Sequence, residues 1–189
     1  KKAFLTLFFI ILSTNLYASN IKKVYFAGGC FWCMEESFDK VEGVIETISG
    51  YSGGHVKNPK YKDVVKNTTG HYETLEITYD PSITNFEKLL EIFWVNIDPF
   101  DADGQFCDKG ESYKSVVFYE NSDQKKIIET SIKNIENKFN KKVVTYVKNF
   151  KEFYMAETYH QDYYEKNFIR YLMYKKGCQR EEILNKIWG

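Results

Sequence analysis

The sequence predicts one mixed α/β domain, a sheet covered by helices. Three observations predict it. Short β-prone segments alternate with amphipathic helical segments along the chain. The length, 189 residues, fits a single domain with a real core. Hydrophobic residues make up 43% and charged residues 28%, which excludes wholesale disorder. There is no internal repeat or low-complexity block.

The first segment reads as an address rather than as fold. Lys1 and Lys2 precede an apolar run over 3–12, broken only by Thr6, and Ala18 offers a cleavage position after a short polar stretch. The run is shorter than the ~20 residues of a membrane span. The expectation is a signal peptide over 1–18, one domain over 19–189, and an exported protein, periplasmic in a bacterium.

The elements then follow in order. Val24 to Ala27 is β-prone and ends at Gly28-Gly29. A helix follows from about Cys30 to Val41. A strand over 44–51 runs into Gly50, Gly53 and Gly54. Leu75, Ile77 and Tyr79 alternate with polar residues, as in a half-buried strand. Asp80-Pro81 closes it with a turn. Thr84 and Glu87 have the spacing of a capping box, and Phe86, Leu89, Leu90, Phe93 and Trp94 share one helical face. A polar loop is expected over 98–109 and a strand over 116–119. Asn121 and Gln124 open another helix, with Ile128, Ile132, Ile135 and Phe139 in one stripe. The last clear strand is expected over 143–147. Phe153, Tyr154, Tyr159, Tyr163, Tyr164, Phe168, Tyr171 and Tyr174 then read as a wrap of the C-terminal segment around the core.

Lys and Arg total 26, as do Asp and Glu, so charge gives no reason to expect nucleic acid as a partner. Four Cys are too few for a disulfide-held miniprotein. Their placement is more informative. In Gly28-Gly29-Cys30-Phe31-Trp32-Cys33 a strand runs into two glycines and a Cys opens a helix. Free N–H groups and the helix dipole favour an anion there, so Cys30 is expected to have a depressed pKa and to be nucleophilic. Cys33 lies three residues on, on the same side of the helix, where a thiol can attack an oxidised Cys30. A static disulfide or two inert thiols is the plainer alternative. Zinc is disfavoured, because Cys107 and Cys178 have no close Cys or His mate. A thiol–disulfide exchanger using Cys30 and Cys33 is the chemical rival. The bulky pair Phe31-Trp32 argues against it.

Several motifs together resemble the peptide methionine sulfoxide reductases of the A type. They are Gly29-Cys30-Phe31-Trp32 with Glu35, Gly50-Tyr51-Ser52-Gly53-Gly54, Asn58-Pro59-x-Tyr61 and Gly70-His71-Tyr72-Glu73. Phe93-Trp94 with Asp98-Pro99, Gly104-Gln105-Phe106-Cys107-Asp108-x-Gly110-x-x-Tyr113 and Tyr159-His160-Gln161-x-Tyr163 continue the resemblance over almost all of 19–189. The resemblance implies a two-layer sandwich with a ferredoxin-like plait and an irregular C-terminal wrap. It implies reduction of the S epimer of methionine sulfoxide, free or in oxidised proteins, by attack of Cys30. Glu73 matches the family's acid, and Tyr61 and Tyr113 its oxygen-binding hydroxyls. Asp108 matches a carboxylate that orients the polar side. Phe31 and Trp32 match the wall that receives the S-methyl group. His55, His71 and His160 are left as structural.

Attack would leave a sulfenic acid on Cys30, to be resolved to a disulfide. Many members have Gly where this chain has Cys33. Cys33 is the expected resolver because it is local. Cys178 is the alternative, Cys107 a third, and a bond between those two distant thiols also stands open. No bound cofactor and no metal is implied. An external thioredoxin-like dithiol would recycle the enzyme, which is expected to be a monomer.

Overall fold

A computed structural model describes residues 20–189, so the segment read as a signal peptide lies outside the described residues. No helix among the described residues is long and apolar enough to cross a membrane. The first half of the chain is a βαββαβ unit. It comprises β1 (Lys22–Ala27), α1 (Phe31–Phe38), β2 (Val44–Ser52), β3 (Tyr72–Tyr79), α3 (Phe86–Val95) and β6 (Val116–Tyr119). A short α2 (Tyr61–Val64) sits between β2 and β3, and a hairpin of β4 (Gly104–Gln105) and β5 (Asp108–Lys109) between α3 and β6. Then come α4 (Ser122–Phe139), β7 (Tyr146–Asn149), β8 (Phe153–Met155), α5 (Tyr163–Lys166), α6 (Phe168–Gly177) and α7 (Arg180–Trp188).

The sheet order is β7-β6-β1-β3-β2-β8. Its middle four strands, β6-β1-β3-β2, are all antiparallel and carry the split-βαβ plait. β7 joins β6 in parallel, so the sheet is mixed. One face is covered by α1, α3 and α4 through Phe26, Leu75, Ile77, Leu89, Phe93 and Ile128. Period-2 alternation puts Tyr25, Tyr72 and Phe118 on the other face.

The chain after β7 folds back over that second face. Phe150 stacks on Tyr25 at 3.7 Å, and Phe153 joins the same cluster. β3 is therefore buried along its whole length, not half-buried as its alternation suggests. Glu76 tolerates this because the Lys23 ammonium reaches it at 2.7 Å. Gly50 makes the fold-back possible: a Cβ there would meet the Phe153 ring at 2.3 Å.

Other expectations are corrected in detail. The residue that caps α3 is Asn85, whose Oδ1 accepts from Lys88 N at 2.9 Å. Thr84 lies one residue earlier and is buried. Asn121 does cap α4, accepting from Asp123 and Gln124 N–H. The expected strand over 143–147 lies at 146–149, and β8 is a further strand, paired with β2, beyond the one expected to be last. The loop over 98–109 contains the β4–β5 hairpin. Of the protein's methionines, Met34 is buried in the core, while Met155 and Met173 are 66% and 71% exposed.

Candidate active site

The turn from β1 into α1 sets the site. Gly29 has φ +80°, and a Cβ there would meet Gln105 Cβ at 2.5 Å, so only glycine lets the β4 strand pack this close. Gln105 is itself fixed by Asp98, accepting from its N–H and donating to its carbonyl at 2.8 Å each. Cys30 follows as the residue ahead of α1. Cys30 and Cys33 are both free thiols and both buried, at 4% and 3% exposure.

Glu73 comes from the start of β3 and is 2% exposed. Phe31 N–H donates to its Oε2 at 3.1 Å. Burial pushes the Glu73 carboxyl well above the usual carboxylate range, and the charges of Asp108 and Cys33 add to the rise. The Phe31 N–H and the Tyr113 hydroxyl oppose it without overcoming it. Burial thus favours the protonated form of Glu73.

The expected thiol order is corrected here. The first N–H of α1, read from the sequence as support for Cys30, is given to Glu73 instead. Burial pushes the Cys30 thiol up, and its hydrogen bond to Cys33 pushes it further. Cys33 is brought down to about 7, first by that hydrogen bond from Cys30 and then by the Arg180 charge. The two thiols titrate as a pair, with burial working against a charge on Cys30 and the Arg180 charge favouring one on Cys33.

Tyr61 opens α2, and Tyr113 ends a 3-10 turn over Glu111–Tyr113. Both are half-buried. Desolvation and the field of Glu73 push Tyr61 up to about 12 and Tyr113 higher still, so both remain hydroxyl donors. Glu157 holds the α2 end in place: its Oε1 accepts from Tyr61 N–H and its Oε2 from the Tyr51 hydroxyl, both at 3.0 Å. Asp108, on β5, accepts from the Tyr174 hydroxyl. Burial raises its pKa, while Tyr174 and Arg180 pull against the rise.

Phe31 and Trp32 start α1 and form an aromatic wall. Trp32 stacks on Tyr163 at 3.8 Å, with Tyr174 edge-on at 5.9 Å. Its Nε1–H donates to His160 Nδ1 at 3.2 Å. The His160 ring lies 5.0 Å from Phe31 and 4.4 Å from Tyr61. Burial lowers the His160 pKa to about 4, so it stays a neutral acceptor for Trp32. Tyr171 completes the cluster around Cys30 and Cys33.

Cys30, Cys33, Glu73, Asp108, Tyr61 and Tyr113 thus act on one another electrostatically in one place, beside Phe31 and Trp32. Cys178 is not in that group as a free thiol. It is disulfide-bonded to Cys107, and the Asp108 carboxylate lies within 4.8 Å of both sulfurs. Sequence reasoning missed Tyr163, Tyr171 and Tyr174, taken as wrap, and His160, taken as structural. The signals for them were aromatic crowding after residue 153 and, for His160 and Tyr163, the motif Tyr159-His160-Gln161-x-Tyr163. Glu157 and Arg180 carried none.

The family model described as "Peptide methionine sulfoxide reductase" matches residues 22–189. Peptide methionine sulfoxide reductase MsrA of Bacillus licheniformis is 48% identical, covering 87% of this chain and 92% of its own length. Mxr1 of Saccharomyces cerevisiae, solved in reduced form, superposes with a TM-score of 0.72 at 29% identity, over 78% of this chain and 86% of its own. Methionine sulfoxide reductase A of Corynebacterium diphtheriae gives 0.71 at 28% identity, over 78% and 75%. With its motifs, plait and matched length in agreement, the chain belongs to the peptide methionine sulfoxide reductase family.

Proposed function

We propose that this protein reduces the S epimer of methionine sulfoxide to methionine, with Cys30 as the attacking sulfur and Glu73 as the proton donor. The observation that carries the reading is a buried Glu73, its carboxyl pushed toward the protonated form, hydrogen-bonded to the first turn of the helix that presents a reduced Cys30. The sulfoxide oxygen is a poor leaving group until protonated. Cys30 attacks the sulfoxide sulfur while Glu73 gives its proton to the oxygen and takes up the proton the Cys30 thiol loses, with Tyr61 and Tyr113 donating hydrogen bonds to that oxygen. The oxygen then passes to Cys30 as the substrate S–O bond and the new Cys30–sulfur bond break, so that methionine leaves and Cys30 carries the oxygen as a sulfenic acid. Phe31 and Trp32 receive the S-methyl group, which fixes the face of sulfur presented to Cys30 and so the epimer.

Cys33 resolves the sulfenic acid. Its sulfur bonds Cys30, the S–O bond breaks, and the oxygen leaves as water. Support comes from its burial beside Cys30 and from the engagement of Cys178 with Cys107. An external dithiol then reduces the Cys30–Cys33 bond. A thioredoxin-like protein fits this role; among the solved structures of Mxr1, one is a complex with Trx2.

The test offers each epimer of a methionine sulfoxide peptide with a dithiol. Turnover of S alone, with Glu73→Gln slower by roughly a hundredfold or more, is expected. Equal use of both epimers, or insulin reduction indifferent to Glu73→Gln, would point to simple disulfide exchange. Residues 1–18 act in this reading as a cleaved export signal. N-terminal sequencing of the expressed protein should begin after Ala18, and recovery of the segment intact would overturn it.

A further inference from the structure

Arg180 is a buried cation with no carboxylate partner. It is 4% exposed. Its Nη2 donates to the Asn96 carbonyl at 2.6 Å and lies 3.5 Å from Met34 Sδ. Its guanidinium carbon sits 4.4 Å from the Phe106 ring centre. None of the ion pairs among the described residues includes it. A buried guanidinium without an anion is costly, so the surroundings should supply one.

Two acidic groups feel its field, Asp108 and Cys33. Asp108 already accepts from Tyr174. Cys33 shares with Arg180 the lining of a cleft of about 260 Å³ between α1, α3 and α7. The other charges facing Cys33 do not balance it. Glu73 and Asp108 disfavour a thiolate, and Glu181 also lines the cleft. Glu36 and Lys175, also at the rim, neutralise each other at 2.7 Å. The Tyr171 hydroxyl, close to Cys33, donates to Glu36 at 2.6 Å. Arg180 is the cation left unmatched on that side.

We propose that Arg180 is a positioning residue whose counter-anion is the Cys33 thiolate, held ready to resolve the sulfenic acid on Cys30. The assignment rests on the reading of Cys33 as resolver. In the step, the Cys33 thiolate forms a bond to Cys30 Sγ and the S–O bond of the sulfenic acid breaks. Cys33 is oxidised and Cys30 reduced to the disulfide level. The oxygen leaves with a proton added as water. Arg180 touches neither substrate nor oxygen and acts on the resolving step through the thiolate fraction of Cys33.

Two measurements test this on the full chain. The first is thiolate absorbance against pH in a Cys30→Ser background, which isolates Cys33 and needs no sulfoxide turnover. Arg180→Met should raise the Cys33 titration by about one unit, roughly a fivefold loss of thiolate at pH 7. Arg180→Lys should restore most of it. The second is a single turnover without reductant. Arg180→Met should release methionine in the same burst as the wild type. Its Cys30–Cys33 disulfide should form about fivefold more slowly at pH 7, with recovery near pH 9. An unmoved titration, or equal slowing in the Met and Lys variants, would overturn the assignment and leave a packing role. The burst also shows that the Met variant is folded. A wild-type protein with no methionine burst would overturn the reductase reading instead, while the titration would still decide on Arg180.

Discussion

Glu35 lies within α1 with 0% exposure, and neither of its carboxylate oxygens has a hydrogen-bond partner. Burial pushes its pKa from 4.5 up to about 7, with the Asp39 and Asp162 charges adding. The folded value lies above the unfolded one, so the contribution to stability is complete below pH 4.5. It is lost as pH rises toward 7, because the unfolded chain releases the proton first. Glu35→Gln should therefore gain stability relative to wild type across that interval, by up to about 3 kcal/mol at pH 8. Urea unfolding at pH 4 and pH 8 reads the difference, and an equal gap at both would contradict it. The sequence shows Glu35 only as part of a motif, since nothing local reveals that a carboxylate is dry. The same holds for the thiols. Cys30 and Cys33 stand out as a pair by spacing. Which of them ionises first depends on Glu73 taking the Phe31 N–H and on Arg180 arriving from the far end of the chain.

The elements were readable wherever a periodic pattern was strong. The faces of α3 and α4 followed from Leu89, Phe93, Ile128 and Ile135, all buried. The start of α3 was misread by one residue. Thr84 and Glu87 satisfy a spacing rule, but the extended backbone at Asn85 aims its side-chain oxygen at Lys88 N–H. Asn85→Ala should cost about 1 kcal/mol in thermal or chemical unfolding, the ordinary worth of a cap. A loss at Thr84→Ala with none at Asn85→Ala would restore the first reading. β8 escaped notice for a different reason. A three-residue edge strand has too few positions to show alternation, and it exists because Gly50 admits Phe153. The site residues on α5 and α6 were hidden likewise, since aromatic crowding cannot tell Tyr163 and Tyr174, which meet Trp32, from Phe168, which is 58% exposed.

Across the whole molecule the plait was legible from the alternation of elements, and the closure of the C-terminal segment was not. Cys107 and Cys178 are 71 residues apart, and only the return of α6 toward the β4–β5 hairpin brings them together. The bond ties the segment bearing Tyr171, Tyr174 and Arg180 to the hairpin bearing Asp108. Closing a loop of that length stabilises by about 4 kcal/mol on a chain-entropy account. Reduction, or Cys107→Ser, should lower the denaturant midpoint accordingly. Dithiothreitol should then have no further effect on the Cys107→Ser variant, and a midpoint equal to wild type would refute the staple.

The placement of the methionines has its own consequence. Peroxide added to the pure protein should strike the outward thioethers of Met155 and Met173 and spare Met34 beneath the helices. Each oxygen gained makes the sulfur a stereocentre of either hand. Fresh copies supplied with electrons would erase only one hand from their damaged siblings. After repeated rounds of damage and repair, peptide mapping should find the mirror-image lesion accumulating at positions 155 and 173, and a racemic residue there would mean that neighbouring molecules do not heal one another.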